Sequence, residues 1–265
     1  MKHMKILFIG DLVGRPGRYI LSERLRKYKE ENEIDFCVVN AENMANGSGV
    51  TENTFKKLLH YGADVVTSGD HIYRNKDVLN FIRDEPRLLR PANLPTEALG
   101  NAFGVYDVDD CRIGVLNLQG RIFMNPIDCP FKAADKCLER IKQQTDIILV
   151  DFHAEATSEK VAMGRFLDGR VSAVLGTHTH IQTADEGILP KGTAYITDVG
   201  MTGPYDSVLG REVKPVLQKL ITGMPARFDV AKDGLQMCGA LVEIDEKNAR
   251  AVSIQRVIEH VASQA

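Results

Sequence analysis

Eight side chains suited to binding divalent cations or moving protons follow apolar runs of the chain: Asp11, Glu42, Asn43, Asp70, His71, His153, His178 and His180. The densest group is Gly176-Thr177-His178-Thr179-His180, which comes directly after the apolar run Val171 to Leu175. That run reads as a buried strand, with Gly176 releasing the backbone into a loop. In a half-extended segment side chains two apart point the same way, so His178 and His180 are expected to face one site. Neutral imidazoles are good ligands for Zn, Fe and Mn ions. An isolated H-x-H fits two polar loop histidines equally well, so the other strand ends have to decide.

Each of the other groups also follows a strand-like run. Lys5 to Gly10 (KILFIG) hands off to Asp11, and Phe36 to Asn40 (FCVVN) leads to Glu42 and Asn43. Asp64 to Thr67 (DVVT) leads to Asp70 and His71, and Asp146 to Asp151 (DIILVD) leads to His153. Ligand sites in open α/β sheets form outside the carboxyl ends of the strands, so neighbouring strands would gather these groups in one crevice. Three clustered carboxylates repel one another unless cations neutralise them. With histidines and an asparagine added, two divalent ions sharing one carboxylate are the simplest occupants. Such a pair can hold an attacking hydroxide and a phosphoryl oxygen together. One aspartate or histidine at a strand end commonly caps a helix or bonds loop backbone; five coincidences of this kind argue for a site.

The elements that must position these groups are legible in outline. Ile20, Leu21, Leu25 and Tyr28 form a helical stripe after a turn at Gly14, Pro16 and Gly17. Thr51 is expected to cap a helix carrying Phe55, Leu58 and Leu59 that stops at Gly62. Ala102 to Val108 and Arg112 to Leu118, joined at Asp109-Asp110, read as an antiparallel hairpin, and Pro130 starts a helix through Leu138 and Ile141. A helix through Val161, Phe166 and Leu167 precedes the histidine loop. Short strands are expected after it at Ala194 to Thr197, about Arg227 to Ala231, Met237 to Ile244 and Ala249 to Val257. Alternating βα units followed by β-rich segments indicate an α/β protein with a sandwich of sheets flanked by helices, one domain over residues 4–260. Met1 to His3 precede a second methionine, Met4, and stand outside this pattern.

Composition narrows the classes of function. A net charge of −3 gives no basic field that calls for nucleic acid or an anionic membrane. No aromatic-rich basic stripe marks an extended single-stranded RNA track. Five cysteines without a C-x-x-C pair fit reduced thiols and a cytoplasmic location. No apolar run reaches the roughly 18 residues of a bilayer span.

Several strings extend the reading beyond single residues. G-D at 10–11, S-G-D-H at 68–71, F-H-A-E at 152–155 and G-T-H-T-H at 176–180 resemble, in order and spacing, the calcineurin-like metallophosphoesterases. G-D-L-V-G-R-P-G, N-A-E-N, D-F-H-A-E-A-T-S-E-K and G-T-H-T-H-I-Q-T-A-D are similar to the bacterial YmdB-like phosphodiesterases, from Lys5 to about Ile258. This resemblance implies a four-layer α/β/β/α sandwich, a dinuclear metal centre of Fe or Mn, with Zn also suitable, and hydrolysis of phosphodiesters including 2′,3′-cyclic nucleotides. It also implies a homo-oligomer.

Carried over residue by residue, the resemblance gives Asp11, Glu42, Asn43 and His180 to one ion and Glu42, Asp70, His153 and His178 to the other. Glu42 takes the bridging position, and His71 matches the histidine near the leaving group. Two departures stand out. The superfamily's second histidine falls at Val13, which cannot ligate, and Asn43 takes its place. Asp70 occupies a position where the family usually has asparagine. The expected activity is a metal-dependent phosphodiesterase on small cyclic nucleotides, using a metal-activated hydroxide. A phosphomonoesterase on the same site, or a regulatory protein with incidental hydrolysis, are the alternatives. Arg15 and Arg121, and the glycine-bearing loops Ala45 to Val50, Gln119 to Arg121 and Gly200 to Tyr205, are further places where phosphate could be met.

Overall fold

In a computed structural model, which describes residues 3–262, the alternation of apolar side chains along the first strand sets the layering. β1 (His3–Ile9) turns Leu7 and Ile9 toward one core, and Ile6 and Phe8 toward another. A strand apolar on both faces must lie between two layers.

The chain continues through β2 (Asp11–Leu12), α1 (Gly14–Asn32), β3 (Phe36–Asn40), α2 (Glu52–Tyr61) and β4 (Val65–Thr67). β5 (Phe103–Val108) and β6 (Cys111–Gln119) form the expected hairpin, followed by α3 (Pro130–Ile141), β7 (Ile148–His153), α4 (Thr157–Leu167) and β8 (Ala173–Thr177). β9 (Gly187–Ile188), β10 (Ala194–Ile196), β11 (Met201–Pro204), α5 (Val213–Thr222), β12 (Leu235–Asp245) and β13 (Arg250–His260) complete it.

One sheet runs β2-β11-β12-β1-β3-β4, with β13 paired to β12; the other runs β5-β6-β7-β8-β10-β9. The first core joins α1 and α2 to the outer face of the first sheet through Ile20, Leu21, Leu25, Phe55 and Leu58. The second lies between the sheets, where Phe8, Val38 and Val242 meet Val115, Leu149 and Leu175. The third joins α3 and α4 to the second sheet through Leu138, Ile141, Met163 and Leu167. Three cores separate four layers, the α/β/β/α sandwich.

Local signals explain most boundaries. Thr51 accepts from the Thr54 amide and Thr54 bonds back, a reciprocal cap at the start of α2, and Gly62 ends that helix at φ 116°. The expected turn at Gly14, Pro16 and Gly17 is instead the first turn of α1. A proline in a first turn forfeits only a donor that has no helical partner. Gly17 lies against the first sheet, where a Cβ would come within 2.5 Å of the Thr202 carbonyl. Residues 227–231 form no strand; Val230 makes only an isolated bridge with Arg211. Among the described residues, no helix is long and apolar enough to cross a membrane.

Candidate metal centre

All eight singled-out side chains meet at the carboxyl edge shared by the two sheets. β1 and β3 run parallel, as do β3 and β4, and β6, β7 and β8, so their ends deliver loops to that edge. Asp11 is not in a loop. It begins β2, and its partner Met201 in β11 fixes it there.

Two groups of donor atoms form, each within 4.8 Å: Glu42, Asp70, His153 and His178 in one, and Asp11, Glu42 and His180 in the other. Glu42 belongs to both. Its Oε2 is 3.0 Å from His153 Nε2, and its Oε1 accepts from Asn43 Nδ2 at 2.8 Å. The same Asn43 nitrogen lies 3.2 Å from His180 Nε2, which places Asn43 with the second group. His71 stands at the rim, with Nδ1 2.8 Å from Asn43 Oδ1 and Nε2 3.6 Å from Asp70 Oδ2.

Each of the three inner histidines has one ring nitrogen engaged behind the site and the other turned into it. His180 Nδ1 donates to the Leu209 carbonyl at 3.2 Å, leaving Nε2 inward. His178 Nε2 lies 3.2 Å from Glu155, leaving Nδ1 inward, 2.9 Å from His153 Nε2. His153 Nδ1 is 2.9 Å from Thr177 Oγ1, which gives its own proton to Asp151 at 2.7 Å. Metal-binding histidines are typically fixed in this way, the outer nitrogen donating to an oxygen so that the inner one is free.

The loop bearing two of these histidines differs from the sequence expectation in its mechanics. Gly176 does not release the chain; it lies inside β8, where a Cβ would sit 1.7 Å from the Thr197 carbonyl. His178 and His180 face the site because both adopt left-handed backbone, at φ 99° and 66°. Non-glycine residues held in this way cost roughly 1–3 kcal/mol each and need a surrounding structure that enforces them. Thr179 between them is fixed by Asp198, which accepts from its amide at 3.0 Å and its hydroxyl at 2.7 Å. Lys160, buried on α4, neutralises Asp198 at 2.6 Å.

This brace was not foreseen in the sequence, and neither was the hub at Asp151. That buried carboxylate accepts from Thr67, Thr177 and Asn40, joining the ends of three strands behind the centre. The available signal was the one used for the site itself: a polar residue closing an apolar run. Two of the suggested phosphate loops are otherwise occupied. The amides of Arg121 and Ile122 donate to buried Glu159, and Met201–Pro204 is strand β11.

Electrostatics test whether the donors fit cations. Burial pushes Asp11 well above the ordinary carboxylate range, against the pull of His153. Burial acts the same way on Glu42, but the charge and hydrogen bond of His153 outweigh it and hold Glu42 below that range. Asp70 is likewise lowered, its burial overcome chiefly by the hydrogen bond from His153. His153 is raised well above an ordinary imidazole: burial opposes its charge, and Glu42, Asp70 and Asp11 prevail. Burial and the charge of His153 depress His178 to about 4, and burial lowers His180, so both are neutral donors at physiological pH. The His153 imidazolium thus faces the carboxylates of Glu42 and Asp70. Asp11 Oδ1 is buried with no hydrogen-bond partner, and Asp70 Oδ1 has only the long contact to His153 Nε2, at 3.5 Å. Orphaned carboxylate oxygens beside neutral, oriented imidazoles are the donor set that divalent cations satisfy.

Comparison with known proteins agrees with this geometry. A 2′,3′-cyclic-nucleotide 2′-phosphodiesterase of Bacillus subtilis is 47% identical over 255 residues, covering 96% of this chain and 97% of the relative. A crystal structure of a hypothetical protein from Thermus thermophilus superposes with a TM-score of 0.90 at 39% identity, covering 97% of this chain and 99% of the other. A novel phosphatase from Mycoplasma pneumoniae superposes with a TM-score of 0.93 at 34% identity, covering 98% and 94%. The model of the YmdB-like protein family matches residues 7–257, and the chain belongs to that family.

Proposed function

We propose that this protein is a metal-dependent phosphodiesterase that hydrolyses 2′,3′-cyclic nucleotides, using two divalent cations held by the centre. The observation that carries this reading is the pair of donor groups sharing Glu42, with each inner histidine anchored from behind. The activity named for the B. subtilis relative supplies the substrate class. Asp11, Glu42, Asn43 and His180 would hold one cation, and Glu42, Asp70, His153 and His178 the other. Oxygen and imidazole donors without a thiolate suit Fe and Mn, with Zn also accommodated. Bound there, the cations would supply Lewis acidity and a nucleophilic hydroxide at neutral pH. A cytoplasmic location remains part of this reading on the cysteine usage of the sequence, five cysteines without a C-x-x-C pair. A homo-oligomer remains part of this reading on the family resemblance.

The chain's own residues orient the substrate and move its proton. His71 Nδ1 donates to Asn43 Oδ1 at 2.8 Å, which orients the ring as an imidazolium with its second proton on Nε2. That nitrogen, half-exposed beside Asp70, is positioned to protonate a departing sugar oxygen. Asp151, Thr177 and Lys160 touch no substrate; they hold the imidazoles that do the binding.

Metal content by plasma mass spectrometry, paired with hydrolysis of 2′,3′-cyclic AMP before and after chelation, tests the proposal. About two ions per chain, and turnover lost on chelation and restored by Mn, is the expected result. No turnover with any added metal would overturn it. Faster cleavage of bis-p-nitrophenyl phosphate than of p-nitrophenyl phosphate separates a diesterase from a monoesterase.

Two variants probe individual roles. His71→Ala is expected to lower turnover of 2′,3′-cyclic AMP about 10²-fold while both metals stay bound. The loss should shrink with p-nitrophenolate as leaving group, because little proton transfer is needed there; equal losses would remove His71 as the acid. Asp70→Asn takes one charge from the centre. Metal affinity should fall roughly tenfold, and turnover at saturating Mn should rise a few-fold as Lewis acidity recovers; tighter binding would contradict the charge assignment.

A further inference from the structure

One cleft of the described structure adjoins the loops of the candidate metal centre rather than lying among its donor atoms. It has a volume of about 640 Å³ and opens between the start of α1 and residues 227–235, lined by Arg15, Tyr19, Asn46, Arg227, Phe228 and Lys232 among others. Nothing in the proposed reaction of a mononucleotide uses it. We infer that this cleft binds the nucleotide immediately upstream of the cyclic phosphate, so that the preferred substrate is an oligonucleotide ending in a 2′,3′-cyclic phosphate. The inference rests on the phosphodiesterase reading and specifies its substrate.

Proximity comes first. The Gly14 amide donates to the Asn43 carbonyl at 2.9 Å, and Arg15 is the next residue. On the opposite wall, Asn46 is three residues from Asn43, at most about 11 Å along extended chain. Arg211 ties the walls together, bonding the Gly47 carbonyl at the tip of one loop and the Phe228 carbonyl, at 3.3 Å, on the other. The cleft is therefore built onto the backbone that presents Glu42 and Asn43.

The lining chemistry matches a nucleotide. Tyr19 and Phe228 bring aromatic rings, on which any base can stack. Arg227 is taken up by Asp229 at 3.1 Å, whereas Arg15 and Lys232 have no carboxylate partner among the described residues. Two unpaired cations beside a stacking surface suit one internucleotide phosphate and its base. A free cyclic mononucleotide carries its single charge on the cyclic phosphate and has nothing to offer them. The cleft has room for a single nucleotide, which is consistent with a chain of net charge −3 and no extended RNA track.

The test compares 2′,3′-cyclic AMP with the adenylyl dinucleotide ending in a 2′,3′-cyclic phosphate, on the Mn-loaded full chain. kcat/KM for the dinucleotide should be at least about tenfold higher, and the excess should fall as salt screens the upstream phosphate. A Lys232→Ala protein, and separately Phe228→Ala, should lose that excess while cleaving 2′,3′-cyclic AMP within about twofold of the parent. Equal kcat/KM for the two substrates in the parent, or variants that lower both alike, would overturn the inference.

Fluorescence anisotropy with the same two ligands, labelled, reads the cleft without turnover. If neither ligand is cleaved yet the dinucleotide binds about tenfold tighter through Arg15 and Lys232, the cleft assignment stands and the hydrolase reading falls. If both ligands bind alike, the cleft assignment falls whatever the turnover.

Discussion

Glu42→Gln is expected to reduce turnover of 2′,3′-cyclic AMP by about 10³-fold or more and to bring metal content from about two ions per chain to one or fewer. Among the described residues, Glu42 is the only side chain whose atoms belong to both donor groups, and it is buried to 1% exposure. Glutamine keeps the shape and still accepts from Asn43 Nδ2 through its oxygen, so the loop geometry survives. The other end becomes an NH₂ aimed at His153 Nε2, where Oε2 now sits at 3.0 Å. One substitution thus turns the oxygen donor on the His153 side into an NH₂ that faces the cation, and removes the negative charge that both groups share. Metal-ion catalysis is worth several kcal/mol of transition-state stabilisation, and 1.36 kcal/mol is a factor of ten; several such factors are lost together. Plasma mass spectrometry and steady-state kinetics read both effects, with thermal melting as the check on folding. A variant that keeps two ions and a tenth of the activity would show that the groups do not share Glu42.

The legibility of such a site from sequence has a physical basis. Each of these candidate residues closes a short apolar run, and parallel strands deliver their ends to one edge, so type and position in the run sufficed to gather Asp11, Glu42, Asn43, Asp70, His71, His153, His178 and His180 in one place. The mechanics behind that placement were less visible. Alternation in an extended segment put His178 and His180 on one side correctly but for another reason, since left-handed backbone turns them there. Gly176 looks like a chain break from sequence and is a close-packing residue in the fold, because sequence alone does not show that the Thr197 carbonyl approaches it.

The supports were harder still. Lys160 sits in a helix beside Glu159 and resembles a surface lysine, and its partner Asp198 is 38 residues away. Only the packed layers reveal that both are buried. Breaking that pair leaves an uncompensated charge in the interior, so the strained histidine loop depends on a contact that no local pattern announces. Similarly, the apolar content around Phe228 suggested a strand, yet residues 227–231 remain a strap; a single bridge from Val230 to Arg211 replaces ladder pairing.

Gly69→Ala is expected to be as damaging as the loss of Glu42, although it deletes no ligand. A Cβ at this position would lie 2.2 Å from both Cδ2 and Nε2 of His153 and 2.3 Å from Glu42 Oε2. Neither neighbour can retreat. His153 is wholly buried and pinned at Nδ1 by Thr177, and Glu42 is held between Asn43 and His153. The methyl group therefore occupies the space in which a donor from each group must meet its cation. Overpacking of this kind costs about 1–3 kcal/mol, so the protein should remain folded with a lowered melting temperature, while metal content and turnover fall together by about 10³-fold in activity. Gly187→Ala is the matched control: a Cβ there meets nothing within 4 Å, and both melting and turnover should stay at parental values. If Gly69→Ala bound two ions and turned over normally, the loop would have to move as a unit, and the tight approach of Gly69 to His153 and Glu42 would not be what shapes the centre. If it lost activity while keeping both ions, the methyl group would be blocking substrate rather than cations, and the failing parameter would be KM.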